Sequence, residues 1–396
     1  MSVCPKPIFP SPSVKDIVNA PLLLVVVSDL NVIAGSIGYS ARSKQPTTKT
    51  LINNRNPKIG FMNELLSRFE MRDLLIQQLK GIKSKEDFTD LAIQIFRYQA
   101  KHCEVYKEYV SLLGCRVNDI QSVEQIPCLP IEVFKKRRVF SSGDVDIEFT
   151  SSGTTGDAVS THFVKDIENY RWSFLQSFKL HYGKPENYVI LGLLPSYLER
   201  SGSSLIYMVD ELIRLSNNDM SGFYLDNHAD LINILDKLKA ANQKVLLIGV
   251  SYALLDLAEI YQTKFPELIV METGGMKGRR KELVRSELHE ILKEAFGVNT
   301  IHSEYGMTEL LSQAYSHGNG VFHCPPWMDV FIREIDDPFS MSKDGVTGGV
   351  NIVDLANIDS CSFIATSDLG KKLGDGFEVL GRFDNSDVRG CNLLIN

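Results

Sequence analysis

The sequence has no apolar run long enough to cross a bilayer. The nearest stretch, Pro21 to Tyr39, opens with consecutive leucines and valines but is broken by Ser28, Asp29 and Asn31. A spanning helix needs about 20 predominantly apolar residues, and a secretory leader needs a charged start and a clean cleavage site, which this stretch lacks. No Cys-x-x-Cys pair occurs either. The seven cysteines (Cys4, Cys103, Cys115, Cys128, Cys324, Cys361 and Cys391) are odd in number and widely spaced. That argues against a disulfide framework or a zinc ribbon and fits the reduced thiols of a cytoplasmic protein. There is no surplus of positive charge. A net charge of −7 gives no broad surface for nucleic acid. The basic runs Lys135–Arg138 and Lys277–Lys281 are short, and runs of this kind read as solvated faces. No internal repeat or low-complexity tract is visible.

What is present is the composition of a globular protein, 44% hydrophobic and 23% charged over 396 residues. That is enough chain for two to three domain units. Residues 1–60 carry little helix signal and read as an extension, either native or upstream of a true start at Met62. From Met62 to Leu113 apolar residues recur at helical spacing, with Gly114 as a stop. Ile126 to Val133 reads as an irregular crossing. Beyond Ile147 apolar runs alternate with helical stretches. The runs are Tyr188–Leu194, Val245–Val250, Leu268–Met271, Val298–His302 and Val350–Val353. The helical stretches are Leu205–Arg214, Leu231–Leu238, Leu254–Gln262 and Lys281–Phe296. This alternation predicts an α/β fold with largely buried parallel strands. The expected divisions are an extension over 1–60, a helical subdomain over 61–145, an α/β nucleotide-binding core over 146–355, and a small β region with a tail over 356–396.

Four motifs suggest chemistry. Phe149 to Gly156 places hydroxyls between two glycines after a strand, where backbone N–H groups can cradle phosphate oxygens. It is not a Walker A loop, because no Gly-Lys-Ser/Thr follows; a plain polar hairpin turn is the other reading. Glu304-Tyr305-Gly306-Met307-Thr308-Glu309 follows the strand expected at Val298–His302. Thr308 there either caps a helix with Glu309 near its positive end, or Glu309 binds Mg²⁺ while Tyr305 stacks on a base. Thr366-Ser367-Asp368 offers a ribose-binding carboxylate or a simple turn. Gly381-Arg382-Phe383-Asp384 offers a guanidinium for phosphate or ribose oxygens.

In this order and spacing, with Gly274-Gly275 between the first two, the motifs resemble the adenylate-forming superfamily of acyl-CoA synthetases, luciferases and peptide-synthetase adenylation domains. The resemblance runs from about Phe61 to the C-terminus. Glu272 to Lys281 and Arg389-Gly390-Cys391-Asn392 narrow it to the acyl-protein synthetases of bacterial luminescence operons, the LuxE-like family. The resemblance implies the large N-terminal α/β domain of that superfamily, with packed subdomains and a small C-terminal β region but without the full C-terminal lid domain. It implies ATP and Mg²⁺ as cofactors, a carboxylic acid of the fatty class as substrate, and an acyl-accepting protein (a reductase or carrier) or coenzyme A as partner. Ser151, Ser152, Gly153, Thr154, Thr155 and Gly156 would hold the ATP phosphates. Gly274 and Gly275 would line the adenine pocket, with Tyr305, Gly306 and Met307 beside the base. Thr308 and Glu309 would meet the α-phosphate and Mg²⁺. Asp368 would bind the ribose hydroxyls, Arg382 the ribose or phosphate, and Cys391 would carry the acyl group.

The sequence departs from the superfamily in two ways. The lysine that usually follows the phosphate loop is replaced by Asp157 to His162, and the chain stops five residues after Cys391. The cation for the leaving pyrophosphate is then Mg²⁺, Arg382, Arg389 or the Lys277–Lys281 cluster. Three other readings compete. Gly249-Val250-Ser251-Tyr252-Ala253 is close to a nucleophile elbow, with Asp256 or a later acid and His302, His317 or His323 to complete a triad. His317, His323 and Cys324 suggest a metal site. A non-catalytic member would keep the fold and bind a partner only.

Overall fold

Local chemistry sets the helix ends. Ser84 accepts from the Asp87 amide and Asp87 reaches back to the Ser84 amide, a capping box that starts helix Lys85–His102. Asp166 caps Ile167–Tyr182 and Ser203 caps Ser204–Ser216. Gly297, in the left-handed region at φ 61, ends Arg285–Phe296. The computed structural model describes residues 70–151, 159–195, 202–224, 227–274 and 283–383. Contacts divide the chain into Met1–Leu74 and Leu75–Asn396, and all the described strands lie in the second unit. No helix among the described residues is long and apolar enough to cross a membrane.

The strands in chain order are β1 Leu129–Pro130, β2 Ile147–Thr150, β3 Thr161–Val164, β4 Val189–Leu193, β5 Gly222–Phe223, β6 Val245–Val250, β7 Leu268–Thr273, β8 His302–Tyr305, β9 Ala314–Ser316, β10 Val321–His323, β11 Met328–Arg333, β12 Gly348–Asp354, β13 Phe363–Leu373 and β14 Gly376–Arg382. Twelve of them form one sheet, with β11-β12-β13-β14-β10-β9-β8-β7-β6-β4-β5 in line and β1 added parallel to β13. β2 and β3 make a separate antiparallel hairpin.

The parallel half, β5-β4-β6-β7-β8, has the buried strands expected of its apolar runs. Every residue of β4 and β6 is buried, because helices cover the sheet. Burying each such Leu, Ile or Val contributes roughly 1.5–3 kcal/mol. Helix Ile167–Tyr182 buries Phe174 and Phe178. Its small polar face is satisfied by Ser173 with Ser312 and by Ser177 donating to Gln313 O.

The other half differs from the expectation. β8 is parallel to β7 but antiparallel to β9, and everything beyond is antiparallel apart from β1. The apolar run Val350–Val353 is therefore a buried antiparallel strand; being covered on both faces gave it the texture of a parallel one. The strand expected at Val298–His302 starts at His302 instead, because Gly297 and Val298 close the preceding helix through the Val298 amide to Lys293 O. Part of the irregular crossing at Ile126–Val133 pairs with β13 as β1.

Gly370, at a register shift between β13 and β14, has no room for a side chain. A Cβ there would sit 2.4 Å from Glu378 O. Gly370→Ala should lower stability by about 1–3 kcal/mol, read as a fall in the midpoint of thermal unfolding.

Candidate active site

The ends of three parallel strands lie level. The register pairs Val250 with Thr273 and Thr273 with Glu304. Ser251, Gly274 and the pair Tyr305–Gly306 therefore leave the sheet side by side at its C-terminal edge, where open α/β sheets bind ligands. Gly274 turns with φ +68, a conformation glycine adopts without strain. Gly306 is exposed, and a Cβ on it would stand 2.5 Å from Glu304 Oε1.

Tyr305 is buried, with its ring against Phe322 and Phe377 at centroid distances of 5.7 and 5.5 Å. Those two rings, from β10 and β14, stack on each other. They carry the tyrosine across to β13, where its hydroxyl donates to Asp368 Oδ2 at 2.7 Å. Arg382, opposite Asp368 in the β13–β14 register, donates its Nε–H to Asp368 Oδ1 at 3.1 Å while most of its side chain stays in solvent. Burial, with the Asp368 charge beside it, holds the Tyr305 phenol well above its ordinary pKa.

Glu309 reaches the same edge from a turn, not from a helix. No helix follows Thr308, because Asp354 takes the next amides: its Oδ2 accepts from Leu311 N and Ser312 N at 2.7 and 3.0 Å. The helix-cap reading of Thr308 is thereby overturned. From the other side the turn is held by His162 on β3. The imidazole is fully buried, its Nδ1–H donates to Thr308 O at 2.8 Å, and its Nε2 lies 3.0 Å from Asn357 Oδ1. Asn357 donates in turn to Glu309 O. Burial pulls the His162 pKa down to about 4, against the opposite pull of the two contacts. The Glu309 carboxyl is raised by burial and drawn back by the Ser160 hydroxyl and by the charges of Arg382 and Lys135.

Ser151 and Ser160 close the base of the β2–β3 hairpin. The Ser151 amide donates to Ser160 O at 3.0 Å, and the Ser160 amide to Ser151 Oγ at 2.9 Å. The glycine-hydroxyl motif thus begins on β2 of a hairpin, and Ser160, on the returning side, touches Glu309. Of the expected site residues, Ser151, Gly274, Tyr305, Gly306, Met307, Thr308, Glu309, Asp368 and Arg382 lie on these elements. Ser152, Gly153, Thr154, Thr155, Gly156, Gly275 and Cys391 lie outside the described residues, as do Arg389 and Lys277–Lys281 of the cation candidates.

The nucleophile-elbow reading of Ser251 does not survive. Its hydroxyl is buried, donates to Gly274 O at 2.9 Å and lies 3.3 Å from Glu272 Oε2. A carboxylate, not an imidazole, faces the serine, and Glu272 is occupied by Arg285 and His289 at 3.4 and 3.6 Å. Nothing there takes the serine's proton. Among the described residues no three His, Cys, Asp or Glu side chains are grouped to hold a metal ion. His317 and His323 line an open cleft of about 460 Å³ with His181, while Cys324 is half-buried, its thiol pushed far above its ordinary pKa by desolvation.

With this geometry in view, the comparisons are specific. The chain is similar to a long-chain fatty acid ligase. The relative is the long-chain-fatty-acid–luciferin-component ligase of Aliivibrio fischeri, 23% identical over 371 residues, 84% of this chain and 94% of that one. The corresponding ligase of Photorhabdus luminescens is 41% identical over 69 residues, 17% of this chain and 58% of that sequence. No protein-family model matches. Among solved structures, a 2-hydroxyisobutyryl-CoA ligase in the postadenylation state has a TM-score of 0.58 at 12% identity, covering 76% of this chain and 68% of that one. Its open conformation gives 0.57 at 11%, with 77% and 72% covered. The chain spans about half the length (49%) of the ATP-bound MatB of Rhodopseudomonas palustris, with 62% of this chain covered and a TM-score of 0.46 at 14% identity, a likeness too distant to carry an argument. The fold is that of the adenylate-forming ligases.

Four residues of the site escaped the sequence reading. Ser160, His162 and Asn357 lack a motif of their own and act through contacts of long sequence separation. Glu304 was read only as the first letter of a motif. It is buried and takes a 2.5 Å hydrogen bond from the Thr273 hydroxyl. Burial, with the Glu272 charge adding to it, raises its carboxyl to about 7.

The unfolded chain ionises Glu304 near 4.5, so between that pH and 7 the folded state binds the extra proton and stability falls as pH rises. Glu304→Gln removes this loss. Its thermal midpoint should gain on that of the wild type as pH goes from 5 to 8, in parallel melts.

Proposed function

We propose that the protein activates a carboxylic acid, a long-chain fatty acid, with ATP to give an acyl-AMP, and then transfers the acyl group to a thiol. The observation that carries this reading is the convergence of the Ser151–Ser160 hairpin base, Gly274, the Tyr305–Glu309 turn and Asp368 with Arg382 at one edge of one sheet. Similarity to the luciferin-component ligases supports the class of acid.

A carboxylate is a poor acyl donor because its leaving group would be oxide. Attack of its oxygen on the α-phosphorus of ATP breaks the bond to the bridging oxygen, whose electron pair leaves with pyrophosphate. The acid then carries AMP as leaving group. The protein's task in this step is to position two anions and offset their charge. Asp368 accepts the ribose hydroxyls, and Tyr305 and Arg382 hold that carboxylate in place. Gly274 and Gly306 let the backbone approach the base. Ser151 and the rest of its loop bind phosphate oxygens, and Thr308 meets the α-phosphate. The donor set fits Mg²⁺, which takes one or two carboxylates and completes its shell with substrate phosphates and water. Glu309 would hold the ion, and the bound ion would supply charge neutralisation at the phosphates.

In the second step a thiolate attacks the acyl carbonyl, a thioester forms and AMP leaves. We assign this thiol to Cys391, with a partner protein or coenzyme A as final acceptor. A thiolate is strongly nucleophilic even when little of it is ionised.

The test is exchange of labelled pyrophosphate into ATP across a panel of carboxylic acids. Glu309→Ala and Asp368→Ala should each cost at least about tenfold, on the order of 1.4 kcal/mol. Unchanged rates in both variants would remove the site. With a radiolabelled fatty acid, label should stay on the chain in the wild type and not in Cys391→Ser. Equal labelling of the two proteins would reassign the thiol.

A further inference from the structure

The superfamily lysine after the phosphate loop is absent, and His162, which stands in that stretch, is buried with its pKa held down to about 4. A charge for the outgoing pyrophosphate must come from another element. Most described cations near the site are already engaged. Arg382 is on Asp368, and Arg285 contacts Glu272 and donates to Val379 O. Arg333 donates to Val350 O, Asn351 Oδ1 and Thr366 O. Arg137 pairs with Glu108, and Arg138 lies over Phe140 and Phe163. Lys371 and Lys372 pair with Glu378 and Asp329.

Lys135 is different. It ends a short 3₁₀ turn, Ile131–Lys135, that is pinned at three points around the site. β1, just before the turn, pairs with β13 at Leu129↔Ile364 and Pro130↔Ala365. Glu132 accepts at 2.6 Å from the hydroxyl of Ser367, the neighbour of Asp368. Phe134 is buried with its ring edge-on to His162 at 6.1 Å, and His162 holds the Thr308 carbonyl. The next side chain is exposed, and no described carboxylate forms an ion pair with it. Its charge nevertheless acts on the buried Glu309 carboxyl.

We propose that Lys135 is the protein's cation for the β- and γ-phosphates of ATP and for the pyrophosphate that leaves. The inference rests on the adenylation reading above. In that step the ammonium keeps all its protons and balances charge on the β-phosphate oxygen as the bridging bond's electron pair arrives there. A point charge on a flexible stem suits a group whose charge shifts during the reaction. Lys135 belongs to the short basic run that the sequence alone assigned to a solvated face.

The test compares Lys135→Gln, Lys135→Arg and, as a control, Lys136→Gln, whose exposed charge has no such placement. Calorimetric titrations with MgATP, pyrophosphate and AMP are run beside pyrophosphate exchange, after matched thermal melts. Lys135→Gln should weaken ATP and pyrophosphate by on the order of tenfold or more while AMP stays within about twofold, because only the outer phosphates meet the charge. Exchange should fall in step, and Lys135→Arg should restore part of both. Unchanged ATP and pyrophosphate affinity, or an equal loss for AMP, would overturn the assignment. A wild-type chain that neither binds ATP nor exchanges pyrophosphate would overturn the adenylation reading itself, and this inference with it.

Discussion

A single buried imidazole joins the pieces of the site. His162 stands on the returning strand of the β2–β3 hairpin, donates to the Thr308 carbonyl and lies against the Asn357 amide. Asn357 passes the restraint on to Glu309 O and Cys361 O. Residues far apart in the chain thereby share one small buried polar cluster. Buried polar groups are costly unless paired, so such a cluster specifies one arrangement. Without it, the turn that presents Glu309 would be fixed only from the Asp354 side.

The site is also a matter of charge. Under the proposed function it admits a polyphosphate and a carboxylate, yet it is built with acidic side chains of its own. Each is offset differently. Glu272 would be raised by burial but is held below its ordinary value by His289, Arg285 and Ser303. Glu304 has only the Thr273 hydroxyl to offset its burial, and the nearby Glu272 charge works against it, so its carboxyl is raised to about 7. Asp368 is shared between a phenol and a guanidinium. Glu309 has the Ser160 hydroxyl and two more distant cations. Its compensation comes partly from a distance, and its carboxyl stays above its ordinary pKa.

The sequence made part of this legible. Strands buried on both faces announce themselves as apolar runs, so β4, β6 and β7 were readable, and motif order placed Tyr305, Glu309, Asp368 and Arg382 together. The direction of a strand leaves no mark of that kind. The covered run at Val350–Val353 reads as parallel, and only the pairing with β11 and β13 shows otherwise. β8 escaped because the apolar Val298–Ile301 stretch closes a helix, while the strand itself, His-Ser-Glu-Tyr, is polar and buried through specific partners. Asp354 removed the expected helix after Thr308 from more than forty residues away. Ser160, His162, Asn357 and Lys135 carry no periodic or motif signal, and Glu304 stands in a motif that says nothing of its burial. Their meaning lies in contacts that only the folded chain creates.

The central claim is that these elements surround one acyl-adenylate. A crystal structure with a non-hydrolysable fatty-acyl sulfamoyladenosine tests it most directly, since intermediates of this kind bind far more tightly than substrates. The account predicts the ribose hydroxyls on Asp368, the base between Gly274 and Tyr305, and the sulfamoyl group beside Thr308. A ligand seated elsewhere, or no binding at saturating concentration, would contradict it.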